Sequence, residues 1–320
     1  MQIREEKIMD TMKAVRIHRY GGPEVLVHEE VPRPEPARGE VLIRVEAAAV
    51  NPVDWKVREG YLKEMLPHSL PLIIGWDVSG VVEAVGAEVT HFKAGAEVFS
   101  RPDLQRDGTY AEYVVIRESE VALKPRSVDH LHAAAIPLAG TTAWKSIIDA
   151  AGVAAGQRVL IHGAAGGVGS YAVQLAKWRG AYVIATASAA NHDYLRGLGV
   201  DQTIDYRSEH FEDVSGKVDV VFDTIGADTQ ERSWQVLKKG GILVSIVAPP
   251  PPEIAGIHGV RQAFVFIQPD AGVLAELATL VDAGKLRPSV ETILPLSEAR
   301  RAQELSQEGH VRGKIVLRVI

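Results

Sequence analysis

The stretch Arg158-Val159-Leu160-Ile161-His162-Gly163-Ala164-Ala165-Gly166-Gly167-Val168-Gly169-Ser170 decides the fold. Four strand-forming residues run into a turn of small residues, and a helical pattern follows through Lys177. Within the turn, Ala164-x-Gly166-x-x-Gly169 matches G-x-G-x-x-G with Ala in the first place. Small residues let backbone approach a pyrophosphate, and the last Gly lets helix and strand pack closely. The helix N-terminus offers unpaired N–H groups and the positive end of its dipole. Ala165, Gly166, Gly167 and Val168 are therefore candidate cofactor contacts. A glycine pattern alone is weak, but here strand, turn, helix and next strand follow in order, which specifies dinucleotide binding. The rival reading is a turn selected only for packing.

Outward from this turn the same rhythm continues. Tyr182–Ala185, Val218–Phe222 and Gly241–Ile246 read as continuous apolar strands, with helical patterns near Asp193 and Trp234 between them. Such alternation means a parallel sheet covered on both faces. Before it, from Lys13 to about His130, the segments are short and β-like: Lys13–Ile17, Val41–Val45, Val81–Val85 and Tyr110–Val115, separated by Gly and Pro. After it come a helix, Gly272–Ala283, and a β-like tail, Lys314–Val319, which is expected to rejoin the first sheet. Pro249–Pro252 reads as a stiff surface loop rather than a PPII ligand.

Composition narrows the chemistry. The 320 residues, 46% apolar, suffice for about two domains. The absence of Cys excludes disulfides, Cys-ligated zinc and a thiol nucleophile, while 11 His leave a His/carboxylate metal site open. The net charge of −6 is spread along the chain, with no basic stripe and only 6% aromatic residues, so no nucleic-acid partner is expected. No run approaches the ~18 apolar residues of a membrane span. The first residues are too charged for a secretory signal, and Met9 or Met12 is a plausible start. The expectation is a soluble intracellular, cytoplasmic protein.

The end of the second strand of the nucleotide unit selects the dinucleotide. NAD-binding chains usually carry Asp or Glu about 20 residues after the fingerprint, to hold the ribose 2′-OH. Here the chain reads Thr186-Ala187-Ser188-Ala189-Ala190-Asn191-His192. With no carboxylate to repel a 2′-phosphate, NADPH is expected. Ser188 and His192 are candidate contacts, and Tyr206 with Arg207 is placed to pack on the adenosine or pair with the phosphate. For His192 an ordinary exposed helix position is nearly as good a reading.

With these residues in hand, the chain resembles the medium-chain dehydrogenase/reductase superfamily, in its zinc-independent quinone oxidoreductase and enone reductase, zeta-crystallin-like, branch. The resemblance runs from Lys13 to Ile320. It rests on Gly21–Leu26, Val50-Asn51-Pro52-Val53-Asp54, Pro137–Ala143, Gly163–Gly169 and Val311-Arg312-Gly313-Lys314-Ile315-Val316-Leu317. It implies an α/β fold in which a Rossmann nucleotide-binding domain, residues 135–267, is inserted in a GroES-like β-rich domain formed by residues 1–134 and 268–320. It also implies a homodimer, through strands such as Val244–Ile246 and Ala263–Phe266.

The resemblance implies the site too. Zinc-dependent members bind the metal through Cys, His and Cys or Asp. This chain has Asn51, Trp76 and Leu138 at those places, so no metal is expected. Asn51 would stand near the nicotinamide and the substrate carbonyl; its plainer reading is a turn residue before Pro52. Lys56 would touch the ribose or the substrate oxygen, or lie in solvent. Tyr61, Trp76 and Leu138 would line the substrate pocket, against loop-capping for Tyr61 and core packing for Trp76. Thr142 would bond the nicotinamide ribose. Ile225, in the turn after the fourth strand, together with Val247, Ala248, Pro249, Phe264 and Phe266, would flank the nicotinamide, with core packing the rival for the two Phe. His130-x-His132 reads as surface or capping His. The reaction implied is NADPH-dependent hydride transfer to a quinone or an α,β-unsaturated carbonyl. The alternative is an NADPH-binding structural or regulatory protein with little turnover.

Overall fold

The computed structural model describes residues 10–320. Met1–Met9 lie outside the described residues, and with them the reading of Met9 as a start. Three sheets organise the chain. Strands Arg158–Ile161, Tyr182–Ala187, Gln202–Asp205, Val218–Asp223, Leu237–Ser245 and Arg261–Phe264 form a six-stranded, wholly parallel sheet. Arg158–Ile161 lies inside it between Tyr182–Ala187 and Val218–Asp223, so the strand order reverses at the glycine turn. That reversal opens a crevice at the carboxyl ends of the strands, where open α/β sheets bind ligands. Val159, Leu160 and Ile161 are fully buried because helices cover both faces.

The second body is a seven-stranded mixed sheet. Its long strand Glu40–Ala49 pairs antiparallel with Val78–Val85, Tyr113–Arg117 and the tail strand Lys314–Arg318. The tail therefore rejoins the first sheet, where Ile315, Val316 and Leu317 bury their side chains. A three-stranded sheet of Leu26–Pro32, Thr11–Ile17 and Leu72–Ile73 packs beside it.

Four details differ from the sequence reading. Strand pairing begins at Tyr113, not Tyr110; Tyr110 is fully buried and its hydroxyl donates to Asp54 Oδ2 (2.9 Å). The helix Ala271–Asp282 buries Val273, Leu274, Leu277 and Val281 in an apolar core shared by the parallel sheet and by Phe99 and Ala122 of the mixed sheet, so it packs between the two bodies, and the chain pairs again with the mixed sheet only from Val290, later than residue 268. Pro252 opens a helix, Pro252–His258, as its first residue, the position that tolerates a missing N–H. A further helix, Ala299–Glu308, was not read from the sequence.

Candidate functional site

A cleft of about 660 Å³ separates the parallel sheet from the mixed sheet, within the usual range for small-molecule sites. One wall is the glycine turn. Gly163 takes φ +65°, and a Cβ there would fall 2.4 Å from Thr224 Oγ1. The tight-turn glycine is thus Gly163, one place before the fingerprint's first position, which explains why Ala164 is tolerated there. A Cβ on Gly169 would lie 2.4 Å from Gly163 O, so helix and turn touch backbone to backbone. The helix Gly167–Trp178 starts at Gly166 with no side-chain cap. The Gly167 N–H faces Gly313 O across a parallel bridge, and the next N–H groups, of Val168 and Gly169, have neither an intrahelical partner nor a side-chain cap. A pyrophosphate fits this cradle by the chemistry of its donors.

The opposite wall is a buried polar network. Asn51 caps the helix Pro52–Arg58, and its N–H donates to Asp54 Oδ2 (2.8 Å) in a capping-box arrangement. Asn51 Nδ2 donates to Asp77 Oδ2 (2.8 Å), and Leu138 N–H donates to Asp77 Oδ1 (2.7 Å). Lys314, first residue of the tail strand, donates to Asn51 Oδ1, to Val50 O (2.8 Å) and to Asp77 Oδ2 (3.3 Å). Asn51, Asp77 and Lys314 are all buried. Burial pushes the Asp77 carboxyl up, and the Lys314 charge opposes this. Burial likewise pushes Asp54 up to about 7, against the hydrogen bonds from Asn51 and Tyr110. Burial lowers Arg101, which stands near Asp77, to about 10.

The two walls are stitched together. Gly313 N–H donates to Ala165 O (2.8 Å), so the residue before Lys314 binds the glycine turn. At the adenosine end the cleft is lined by Ser188, Asn191, Tyr206 and Arg207. Arg207 has no ion pair among the described residues and lies 5.7 Å from the Tyr206 ring centre. The lining includes Arg207, Arg232 and Lys314 and no Asp or Glu. His162 also lines it, accepting or donating to Thr186 Oγ1 (3.1 Å) and Ser233 Oγ (3.0 Å); burial lowers it to about 4, so it is neutral.

Of the residues singled out by sequence, the structure brings Asn51, Leu138, Ala165, Gly166, Gly167, Val168, Ser188, Tyr206 and Ile225 to the cleft. It places others elsewhere. Trp76 is fully buried in the core with Leu72 and Ile74, against His68, and its Nε1–H donates to Arg106 O (3.2 Å). An indole fills apolar volume better than it lines a wet cleft, so its core reading is the correct one. Lys56 lies over the Trp55 ring (5.6 Å) outside the lining. Tyr61 is exposed on the loop beyond that helix. Thr142 sits inside the helix Pro137–Trp144, its hydroxyl donating back to Leu138 O (2.7 Å). His192 opens a helix with Nε2 buried and unpartnered, off the lining. Val247, Phe264 and Phe266 are exposed, and with Ala248 and Pro249 they lie beyond the lining. The Phe pair is therefore not core. His130 bonds Ser79 Oγ (2.8 Å), and His132 bonds its own helix cap, Asp129 (2.7 Å).

Sequence reasoning missed Asp77 and Lys314 as partners, and His162 and Arg232 as lining. Gly75-Trp76-Asp77 and Gly313-Lys314 were in view as motifs. Nothing in their spacing, with Lys314 237 residues beyond Asp77, announces that they meet.

A doubly wound parallel sheet with a glycine cradle, facing a buried polar wall across a cleft, defines a nucleotide-dependent oxidoreductase. The comparisons agree. The alcohol dehydrogenase GroES-like domain family matches residues 37–126, and the zinc-binding dehydrogenase family matches residues 198–317. The chain is 34% identical to the mitochondrial NAD(P)H oxidoreductase RTN4IP1 of Bos taurus, over 97% of this chain and 89% of that one. It is 37% identical to the chloroplastic NADPH-dependent alkenal/one oxidoreductase of Arabidopsis thaliana, over 98% and 81%. The solved structure of the quinone oxidoreductase from Coxiella burnetii superposes with a TM-score of 0.90 at 37% identity, covering 97% of this chain and 100% of that one. The chain belongs to the medium-chain dehydrogenase/reductase superfamily, with a GroES-like body and a Rossmann sheet. It is an oxidoreductase that uses a nicotinamide cofactor.

Proposed function

We propose that the protein is an NADPH-dependent, zinc-independent reductase of quinones or α,β-unsaturated carbonyls. The observation that carries this reading is the cleft itself, which runs from the glycine turn to the Asn51–Leu138 wall and carries at its adenosine end Arg207, a cation with no ion pair among the described residues. An unpaired cation there attracts anionic ligands and fits a phosphorylated adenosine. Ser188, Tyr206 and Arg207 hold the 2′-phosphate end. Val168 and Gly169 give N–H groups to the pyrophosphate. Leu138 and Ile225 flank the nicotinamide end.

When bound, the reduced nicotinamide supplies the hydride. The chain's task is to bind and orient, keep bulk water out, and stabilise charge that collects on the acceptor's oxygen. A proton from solvent completes the reduction. Zinc-independence is supported by the donors: the side-chain oxygen of Asn51 and one oxygen of Asp77 already accept from Lys314, whose charge opposes a second cation there. The names of the relatives, a quinone oxidoreductase and an alkenal/one oxidoreductase, support the substrate class over a non-catalytic role.

The domain division follows the sheets, with the inserted unit ending near residue 289 rather than 267. A homodimer fits the edge strand Arg261–Phe264, beside which Phe264 and Phe266 are about 40% exposed. Among the described residues no helix is long and apolar enough to cross a membrane. A cytoplasmic location is proposed, the two relatives named above being chloroplastic and mitochondrial. The test is loss of NADPH absorbance with 9,10-phenanthrenequinone, 1,4-benzoquinone and a short enone, repeated with NADH at matched concentrations. Turnover with one acceptor class and a preference for NADPH are expected. Tight NADPH binding without turnover returns the protein to the structural or regulatory reading.

A further inference from the structure

We infer that Lys314 is a positioning residue that sets which end of the Asn51 amide is left to serve the cleft; the inference rests on the reductase reading. An Asn side chain is nearly symmetric in shape, yet one end only accepts and the other only donates. Burying an ammonium costs several kcal/mol unless every proton finds an acceptor. Lys314 has three acceptors, and one of them is Asn51 Oδ1. A flipped amide would point its N–H groups at the ammonium, so this cation forbids the flip.

The consequence falls on Nδ2. One of its protons is held by Asp77 Oδ2 at 2.8 Å, while the second meets only Ala49 O, at the 3.5 Å limit. That second N–H is the most weakly held donor of Asn51, a residue of the cleft lining, and so the one that a carbonyl oxygen in the cleft would draw on. Lys314 itself spends all three protons inside the protein, so it acts through Asn51 and not on the ligand. Three elements far apart in sequence build the device: the cap of the helix Pro52–Arg58, the segment leading into the strand Val78–Val85, and the tail strand. Gly313, bonded to Ala165 O, ties the same strand to the glycine turn. The donor on one wall is thereby held in register with the cradle on the other.

The chain contains only two Asn, Asn51 and Asn191, so selective ¹⁵N labelling of Asn resolves the Asn51 side-chain NH₂ directly. In the wild type its two protons should be widely separated, and one should shift on adding NADPH with 9,10-phenanthrenequinone. In Lys314→Met the pair should collapse toward free-amide positions. With phenanthrenequinone as acceptor, kcat should fall about 10²-fold, the usual cost of a reacting group displaced by about 1 Å, while the NADPH Kd stays within about 3-fold. Lys314→Arg should restore part of kcat. The double variant Lys314→Met/Asp77→Asn removes both buried charges and keeps the test open if the single variant does not fold; it should show the same collapse and the same fall. Unchanged Asn51 resonances in the folded variants, or a loss explained wholly by NADPH Kd, overturn the inference. If the wild type reduces no acceptor, the reductase reading fails, and the Asn51 resonances alone decide the inference.

Discussion

The two walls of the cleft are built on opposite principles. The glycine turn binds with backbone: Gly163 to Gly169 are close in sequence, carry no charge and owe their shape to missing side chains. The facing wall binds with side chains: Asn51, Asp77 and Lys314 arrive from three distant segments, carry charge and are held out of water. The first wall is local and cheap to build. The second is costly, because each of its charges is stable only with its partner in place. A protein can therefore lose the first wall's function while staying folded, whereas damage to the second threatens fold and function together.

The largest expected effect strikes the costly wall. Asp77→Leu leaves Lys314 buried without its carboxylate and should destabilise the fold by about 3–5 kcal/mol, read from urea denaturation. Asp77→Leu with Lys314→Met should recover most of that loss. A double variant no more stable than the single one would break the contrast between the walls.

The glycine wall should respond in binding instead. Gly166→Asp places a carboxylate against the phosphates and should raise the NADPH Kd by about 100-fold, or ~2.7 kcal/mol, with the melting temperature little changed. Gly166→Ala should leave the fold intact, since its Cβ meets only Gly163 O at 3.4 Å and its backbone needs no positive φ, and should weaken NADPH binding less than Asp does, by crowding the pyrophosphate without repelling it. Fluorescence titration separates the two. A fall in melting temperature with NADPH Kd unchanged in both variants would mean that the turn is a packing device.

Next come the buried titrating groups, one on each wall and opposite in sign. Asp54 folds with its carboxyl raised to about 7, so it binds more protons folded than unfolded. Its stabilisation is complete below the unfolded value of ~3.9 and is lost as pH rises through about 7. His162 is lowered to about 4, so its contribution is present above ~6.5 and is lost as pH falls toward 4. Melting temperatures between pH 4 and pH 8 should show Asp54→Asn removing the alkaline-side decline and His162→Gln reducing the acid-side one. Parallel shifts in both variants would refute the assignment.

The smallest effect belongs to the rim. Arg207→Ala should lower the NADPH preference over NADH about 3- to 10-fold, the worth of one partly exposed ionic contact of ~1 kcal/mol. An unchanged ratio would move the 2′-phosphate contact to Ser188 or His192.

Much of the scaffold was legible because its signals are periodic or local. Continuous apolar strands alternating with helices specify a parallel sheet. A strand followed by Gly163–Gly169 and a helix specifies an anion cradle, since every part lies within a few residues. The tail strand was legible as a strand, and its return to the first sheet followed from having an apolar face to bury. The site beyond the cradle was less legible. Trp76 was placed in the pocket by resemblance, yet the core claims it. Phe264 and Phe266 read as flanking or core residues, and their exposure rules out the core. The helix Ala271–Asp282 was legible as a helix, but not what it packs on: its apolar face meets both Ala122 of the mixed sheet and the core of the parallel sheet.

The sequence by itself determined the class of fold, the dinucleotide cradle and, through the missing carboxylate after Thr186, the expectation of NADPH. These follow from short-range rules in which neighbouring residues carry the whole signal. Only the tertiary structure decided that Lys314 contacts both Asn51 and Asp77, and therefore which end of the Asn51 amide the ammonium holds. Hydrogen bonding of a buried ammonium depends on which acceptors surround it in space, and Lys314, 237 and 263 positions from Asp77 and Asn51, acquires that relation only when the sheets close.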